Sequence, residues 1–136
     1  MQKLSDFEIG KENSAYAKYF IGKSYLNPLT DPTKTVFMAN VTFEPGCRNN
    51  WHIHHAKKGG GQILICVFGE GYYQEEGKEA ISLHPGMVIT IPANVKHWHG
   101  AKKDSYFQHI AVEVPGEETS TEWCKPVSEE EYNKLP

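Results

Sequence analysis

Seven histidines occur in this 136-residue chain, and four of them form two pairs with the same spacing, His52-x-His54 and His97-x-His99. Side chains on an extended strand repeat every two residues, so each pair projects from one face. Two imidazoles held side by side on a stiff element make half of a transition-metal site. A lone His-x-His describes an ordinary polar strand equally well, and the second pair, starting 45 residues after the first, gives the pattern its weight. Gln62 adds to it. It heads the run Gln62 to Phe68, and the positions that share its face are Leu64, Cys66 and Phe68. An unpaired amide buried on such a face costs about 1–3 kcal/mol, and a metal ion would supply the missing partner through the side-chain oxygen.

The elements that must position these residues follow from the punctuation of the chain. Thr35 to Phe43 is β-rich with Phe37, Ala39, Val41 and Phe43 on one face, and Glu44-Pro45-Gly46 turns it into the first histidine pair. Gly69-Glu70-Gly71, Glu76-Gly77-Lys78, His84-Pro85-Gly86 and Pro92-Ala93-Asn94 separate further short strands, and Ser105–Val114 is the last long one. Earlier, Tyr16 to Tyr25 reads as a strand and residues 26–33 as a loop with two prolines. Short strands at this spacing indicate an antiparallel sandwich or barrel. Ser128 followed by Glu129, Glu130 and Glu131 is a capping box, and a helix is expected over residues 128–134. The whole chain, residues 1–136, is expected to be one domain: residues 1–15 a poorly ordered or dimer-contacting arm, residues 35–114 the barrel core.

Composition excludes several functions. A net charge of −3 leaves no basic footprint for nucleic acid and no polybasic membrane patch. No apolar run approaches the roughly 20 residues of a membrane helix, and the acidic start is unlike a secretory signal. Cys47, Cys66 and Cys124 are odd in number and without paired spacing, which suits reduced thiols in a cytoplasm. The partners expected are a small molecule and a second copy of the chain, a homodimer.

The motifs resemble those of the cupin family. Gly46, five residues, His52-Ile53-His54, then Gln62, six residues and Gly69 match the first cupin motif. Gly86, five residues, Pro92-Ala93-Asn94, two residues and His97 match the second. The first motif usually carries glutamate where Gln62 stands, the seven residues from His55 to Gly61 make a longer loop than is usual, and Ala101 replaces a frequent asparagine. The wider run VTFEPG…WHIH…GQILI…GEGYYQEEG…LHPG…IPANVKHWHGA…HIAV is similar to the small single-domain cupins associated with carboxymuconolactone decarboxylases. That group includes manganese-dependent hydroxynitrile lyases in which glutamine is a normal ligand.

The resemblance implies an all-β double-stranded β-helix, a jelly-roll barrel with one short C-terminal helix. It implies His52, His54, Gln62 and His97 as ligands of one divalent transition metal, manganese first and Fe, Ni, Co or Zn as alternatives. His99 and His109 occupy catalytic positions, with Ala39, Val41 and Asn49 lining the substrate pocket. His99 and His109 could also be hydrogen-bonded core residues or supports for the ligands. With pKa values near the ordinary 6.5 they would move a proton at neutral pH. A neutral ligand set leaves a divalent ion its full charge and strengthens it as a Lewis acid. The activity implied is a metal-dependent lyase acting on a small hydroxy or carbonyl compound. The alternatives are an iron or nickel dioxygenase and a non-catalytic metal-stabilised binding or sensor module. His84 is expected in solvent, and His55 has the wrong parity for the metal. Lys57 to Gly61 would form a flexible cationic lip or a mobile insertion. Trp51 and Trp98, opposite the ligand face, would pack between sheets or at a dimer interface, with Tyr16–Tyr25 as the exchanged strand.

Overall fold

The structure, a computed structural model, describes residues 3–136. In chain order the strands are β1 (Lys11–Glu12), β2 (Phe20–Ile21), β3 (Ser24–Pro28), β4 (Met38–Phe43), β5 (Arg48–Asn49), β6 (His52–His55), β7 (Lys58–Gly59) and β8 (Gln62–Gly69). They continue as β9 (Gly71–Glu75), β10 (Ile81–Leu83), β11 (Val88–Ile91), β12 (Lys96–Ala101), β13 (Phe107–Glu113), β14 (Gly116–Glu117) and β15 (Ser120–Trp123), and helix α1 (Glu129–Asn133) ends the chain. One sheet has the order β1-β3-β4-β13-β8-β11; the other runs β10-β9-β12-β5-β2, with β6 paired to both β12 and β15. This is the all-β barrel with a short terminal helix expected from the sequence.

Alternation sets what faces inward. Val41 and Phe43 from β4, Leu64 and Cys66 from β8, and Phe107 and Ala111 from β13 join Tyr73, Leu83 and Ile91 in one buried core. A bulge between Gln108 and His109 lets β13 keep register with β8 while His109 still faces Phe43 inside. Tight turns need glycine where the backbone closes up. At Gly69 φ is +69°, and a Cβ there would collide with the Tyr106 carbonyl oxygen.

The outward side of β4 is polar, yet Asn40 and Thr42 are fully buried. The N-terminal segment covers them. Ser5 Oγ donates to Gln108 Oε1 at 2.6 Å, Gln108 Nε2 donates to Thr42 Oγ1 at 3.0 Å, and Asn40 Nδ2 donates to the Glu8 carbonyl at 2.9 Å. Ile9 is buried beside them, and β1 pairs with β3. From residue 3 onward the segment expected as a loose or dimer-contacting arm therefore lies on its own barrel.

Three further expectations change. The stretch Tyr16–Tyr25 is a 3-10 turn at Ala17–Tyr19 followed by two separate strands, because Gly22 with φ +89° breaks it, and Leu26–Pro28 continue β3 rather than forming a loop. Lys58–Gly59 pairs with Gly116–Glu117, so the loop after the first histidine pair is one side of a small ribbon. Trp98 is outside the barrel as its parity requires, but its cover is the chain's own C-terminal segment: Val127, just before α1, and Tyr132 within it pack with Tyr72 against Trp98, and Trp51 borders that cluster.

Candidate metal centre

Strands β6 and β12 bring the two histidine pairs together, with His97 directly opposite His52. One ring nitrogen from each of His52, His54 and His97 lies within 4.8 Å of the other two. The rings sit 4.2 to 5.2 Å apart by centroid. His52 Nδ1 donates to the Asn50 carbonyl at 2.7 Å and His97 Nδ1 to the Val95 carbonyl at 2.9 Å. A carbonyl oxygen can only accept, so both Nδ1 atoms carry the proton and both Nε2 lone pairs are free. Nε2 of His54 and of His97 are buried without a protein partner.

Burial pushes all three imidazoles toward the neutral form. His52 is held well below the ordinary histidine range by burial and by His97 beside it, His97 is pushed down to about 4 mainly by burial, and His54 is lowered for the same reason. Converging, neutral, unpartnered lone pairs are the state in which histidine binds a cation. The site fits a metal ion. Gln62 heads β8 opposite Ile91 and Glu113, and it shares a cavity wall with His54.

That cavity has a volume of about 240 Å³ and lies between the sheets. All five residues expected beside the metal line it: Ala39, Val41, Asn49, His99 and His109. The His99 backbone N–H donates to Asn49 Oδ1 at 2.9 Å, and the Asn49 amide nitrogen lies 3.3 Å from His99 Nε2. His109 meets His99 edge-on at 4.9 Å between ring centroids, and neither of its own nitrogens has a partner. Burial lowers both rings, His99 well below the usual range and His109 to about 3. The expectation that they titrate near 6.5 is therefore corrected: at neutral pH both are uncharged, each ring with one N–H and one bare nitrogen, and burial opposes a second proton on either.

Three residues beside the site were not anticipated. Strand β15 lies against β6, placing Thr121 Oγ1 3.4 Å from His54 Nδ1 and stacking Trp123 on His52 at 4.7 Å. Trp123 also stacks on Tyr19 at 4.4 Å. The third is Glu113, at the end of β13, on the wall of the cavity and of a second, outer one of about 370 Å³. The alternation Thr121-x-Trp123 was the only signal for β15. Parity with His109 and Ala111 was the signal for Glu113. His84 is exposed, and His55 points away to Glu122 Oε1 at 2.7 Å, as expected of both.

Residues 39–113 match the family described as Cupin domain. The chain is 36% identical over 121 residues to a protein named (R)-mandelonitrile lyase from Granulicella tundricola, covering 87% of this chain and 88% of that one. Its fold is similar to that of a cupin-like protein from Thermotoga maritima, with a TM-score of 0.82, 38% identity and 96% of each chain covered. A predicted oxalate decarboxylase from the same organism shares the fold at a TM-score of 0.67 and 18% identity, with 83% of this chain and 98% of that one covered.

Proposed function

This chain belongs to the cupin family, and from that premise we propose that it is a metal-dependent lyase that cleaves or forms a carbon–carbon bond beside a hydroxyl-bearing carbon. The observation that carries the reading is the convergence of three neutral imidazoles, two of them with a buried Nε2 that has no protein partner, beside a cavity lined by two further uncharged histidines. The curated relative named as a lyase supports the reaction class.

His52, His54, His97 and Gln62 would hold the ion, manganese first among the candidates. When bound, it supplies Lewis acidity to a hydroxyl or carbonyl oxygen, undiminished by any anionic ligand in this set. The Asn50 and Val95 carbonyls hold two ligand rings in the correct tautomer, and Thr121 steadies the third. His109 presents one bare lone pair and one free N–H to the cavity. It accepts a hydrogen bond from the substrate hydroxyl and relays that proton to the carbon fragment as the carbonyl of the product forms and the fragment leaves with the electron pair of the broken bond, so that the ring is not left charged. His99, fixed by Asn49, packs edge-on against His109 and limits its rotation. Phe43, Ala39, Val41 and Trp123 give the space an apolar wall.

The test is elemental analysis of protein purified without a metal-affinity tag, beside Gln62→Ala and His97→Ala, followed by assay of mandelonitrile cleavage. Near-stoichiometric manganese in the parent, lost in His97→Ala and reduced in Gln62→Ala, with cleavage that follows the metal, is the expected result. Iron or nickel with oxygen consumption would replace the lyase by a dioxygenase. Metal and ligand binding without turnover would leave a binding module.

A further inference from the structure

Two cavities meet at one wall, and that wall carries one carboxylate. The inner space of about 240 Å³ and the outer one of about 370 Å³ share Phe37, His54, Gln62, Glu113 and Thr121. Neither is lined by any lysine or arginine, and Glu113 is the only acid on either. Among the described residues, no cation pairs with it. Its backbone is fixed on both sides: Glu113 N–H donates to the Phe37 carbonyl at 3.1 Å, and Val114 N–H donates to the Gly61 carbonyl at 3.1 Å. The residue stands opposite Gln62 across the β13–β8 pair, two positions beyond Ala111 and four beyond His109 on the inward face. Directly opposed residues in a sheet have Cβ atoms about 5 Å apart.

We infer that Glu113 is a specificity-determining residue, an unpaired carboxylate on the shared wall that turns away anionic substrates and admits neutral or cationic ones. The inference rests on the proposed reading of the inner cavity as a substrate site. The apolar wall there suits an aromatic or branched body, and the outer space offers Thr35, Thr119, Ser120 and Thr121 as hydrogen-bonding hydroxyls. The carboxylate stands on the wall that the two cavities share, beside His54 and Gln62. The Glu113 side chain is exposed, so a like charge on the substrate is repelled, and an opposite charge drawn in, at short range and through screening solvent. A neutral hydroxy compound is indifferent to the charge and can donate a hydrogen bond to it.

The test uses three probes of the same shape and different charge: benzoate, benzyl alcohol and benzylammonium. Their dissociation constants are measured by ligand-observed NMR on the parent, on Glu113→Gln and on Glu113→Lys, each with manganese and without it. The expected result is that Glu113→Gln binds benzoate about fivefold more tightly and benzylammonium about fivefold more weakly, with benzyl alcohol within twofold. Glu113→Lys should carry both shifts further, and added salt should shrink them. Because all probes are compared between variants in the same metal state, the contribution of the ion cancels. Metal-free protein still reports on Glu113 should the metal reading fail. Equal shifts for all three probes, no shift for the charged pair, or no binding of any probe would each overturn the inference.

Discussion

At the scale of single residues, the site differs from an ordinary polar core in what is left unpaired. Both nitrogens of His109 are buried without a partner, a cost that no packing contact recovers. Replacing His109 with leucine should raise stability by about 1 kcal/mol in urea denaturation while abolishing turnover and leaving metal content unchanged. A pH effect follows with a definite sign. His109 titrates at about 3 in the folded chain against 6.5 for the ordinary group, so between those values the unfolded chain binds a proton that the folded one refuses. Folding stability is therefore complete above 6.5 and falls as pH drops toward 3, by at most about 1.4 kcal/mol per pH unit for this group. His109→Leu should flatten that part of the curve; an unchanged slope would assign the acid sensitivity elsewhere. The two histidine pairs were legible in the sequence because strand parity puts His52 with His54 and His97 with His99, while His97 and Gln62 were singled out as ligands by the resemblance to the cupin motifs. The charge state of His99 and His109 was not, because burial is a property of the closed barrel and leaves no mark on either residue.

At the scale of elements, the C-terminal helix holds the outer side of the site sheet. Ser128 Oγ accepts from the Glu131 N–H at 3.1 Å, and Glu131 Oε1 accepts from the Ser128 N–H at 3.2 Å, completing the capping box. Arg48 ties the helix back: its Nε and Nη2 donate to the Val127 carbonyl at 3.2 and 2.9 Å, Nη2 also reaches Glu129, and the guanidinium lies 4.2 Å from the Tyr132 ring centroid. Arg48 is only 3% exposed and stands next to Asn49, which positions His99. Arg48→Met should cost about 2–3 kcal/mol because it strands a buried carbonyl, whereas Ser128→Ala should cost about 1 kcal/mol as a lost cap. Thermal melts of the two variants side by side would check the order. The helix was readable because its cap is local, four consecutive residues. Strands β14 and β15 were not, because Ser120–Trp123 has too little apolar content to announce a strand, and its partner β6 lies nearly seventy residues earlier. The ribbon of β7 and β14 was hidden for the same reason: two glycine-containing pairs acquire meaning only when the barrel brings them together.

At the scale of the whole molecule, the centre joins both ends of the chain. Tyr19, Trp123 and His52 form a continuous stack, from the 3-10 turn through the C-terminal strand to a ligand of the proposed ion. A bound ion would couple to global stability, since the unfolded chain cannot assemble the three imidazoles. Chelation of metal-loaded protein should lower Tm by several degrees and change the fluorescence of Trp123. Trp123→Phe should lose most of the optical change while keeping the shift in Tm. The fold class was legible at this scale from the spacing of turns, because strand length and glycine or proline punctuation are local. The dependence of the centre on its two ends was not, since nothing in Tyr19 or Trp123 points to the other.

The pairing of β6 has a consequence for biosynthesis. Its histidines are made before either flank: β12 follows some forty residues later, and β15 nearly seventy. A nascent chain with His52 and His54 already exposed therefore offers two loose imidazoles to any passing cation. Selective loading of the proposed ion would belong to the folded chain, after Thr121 and Trp123 have closed over the strand that was made first.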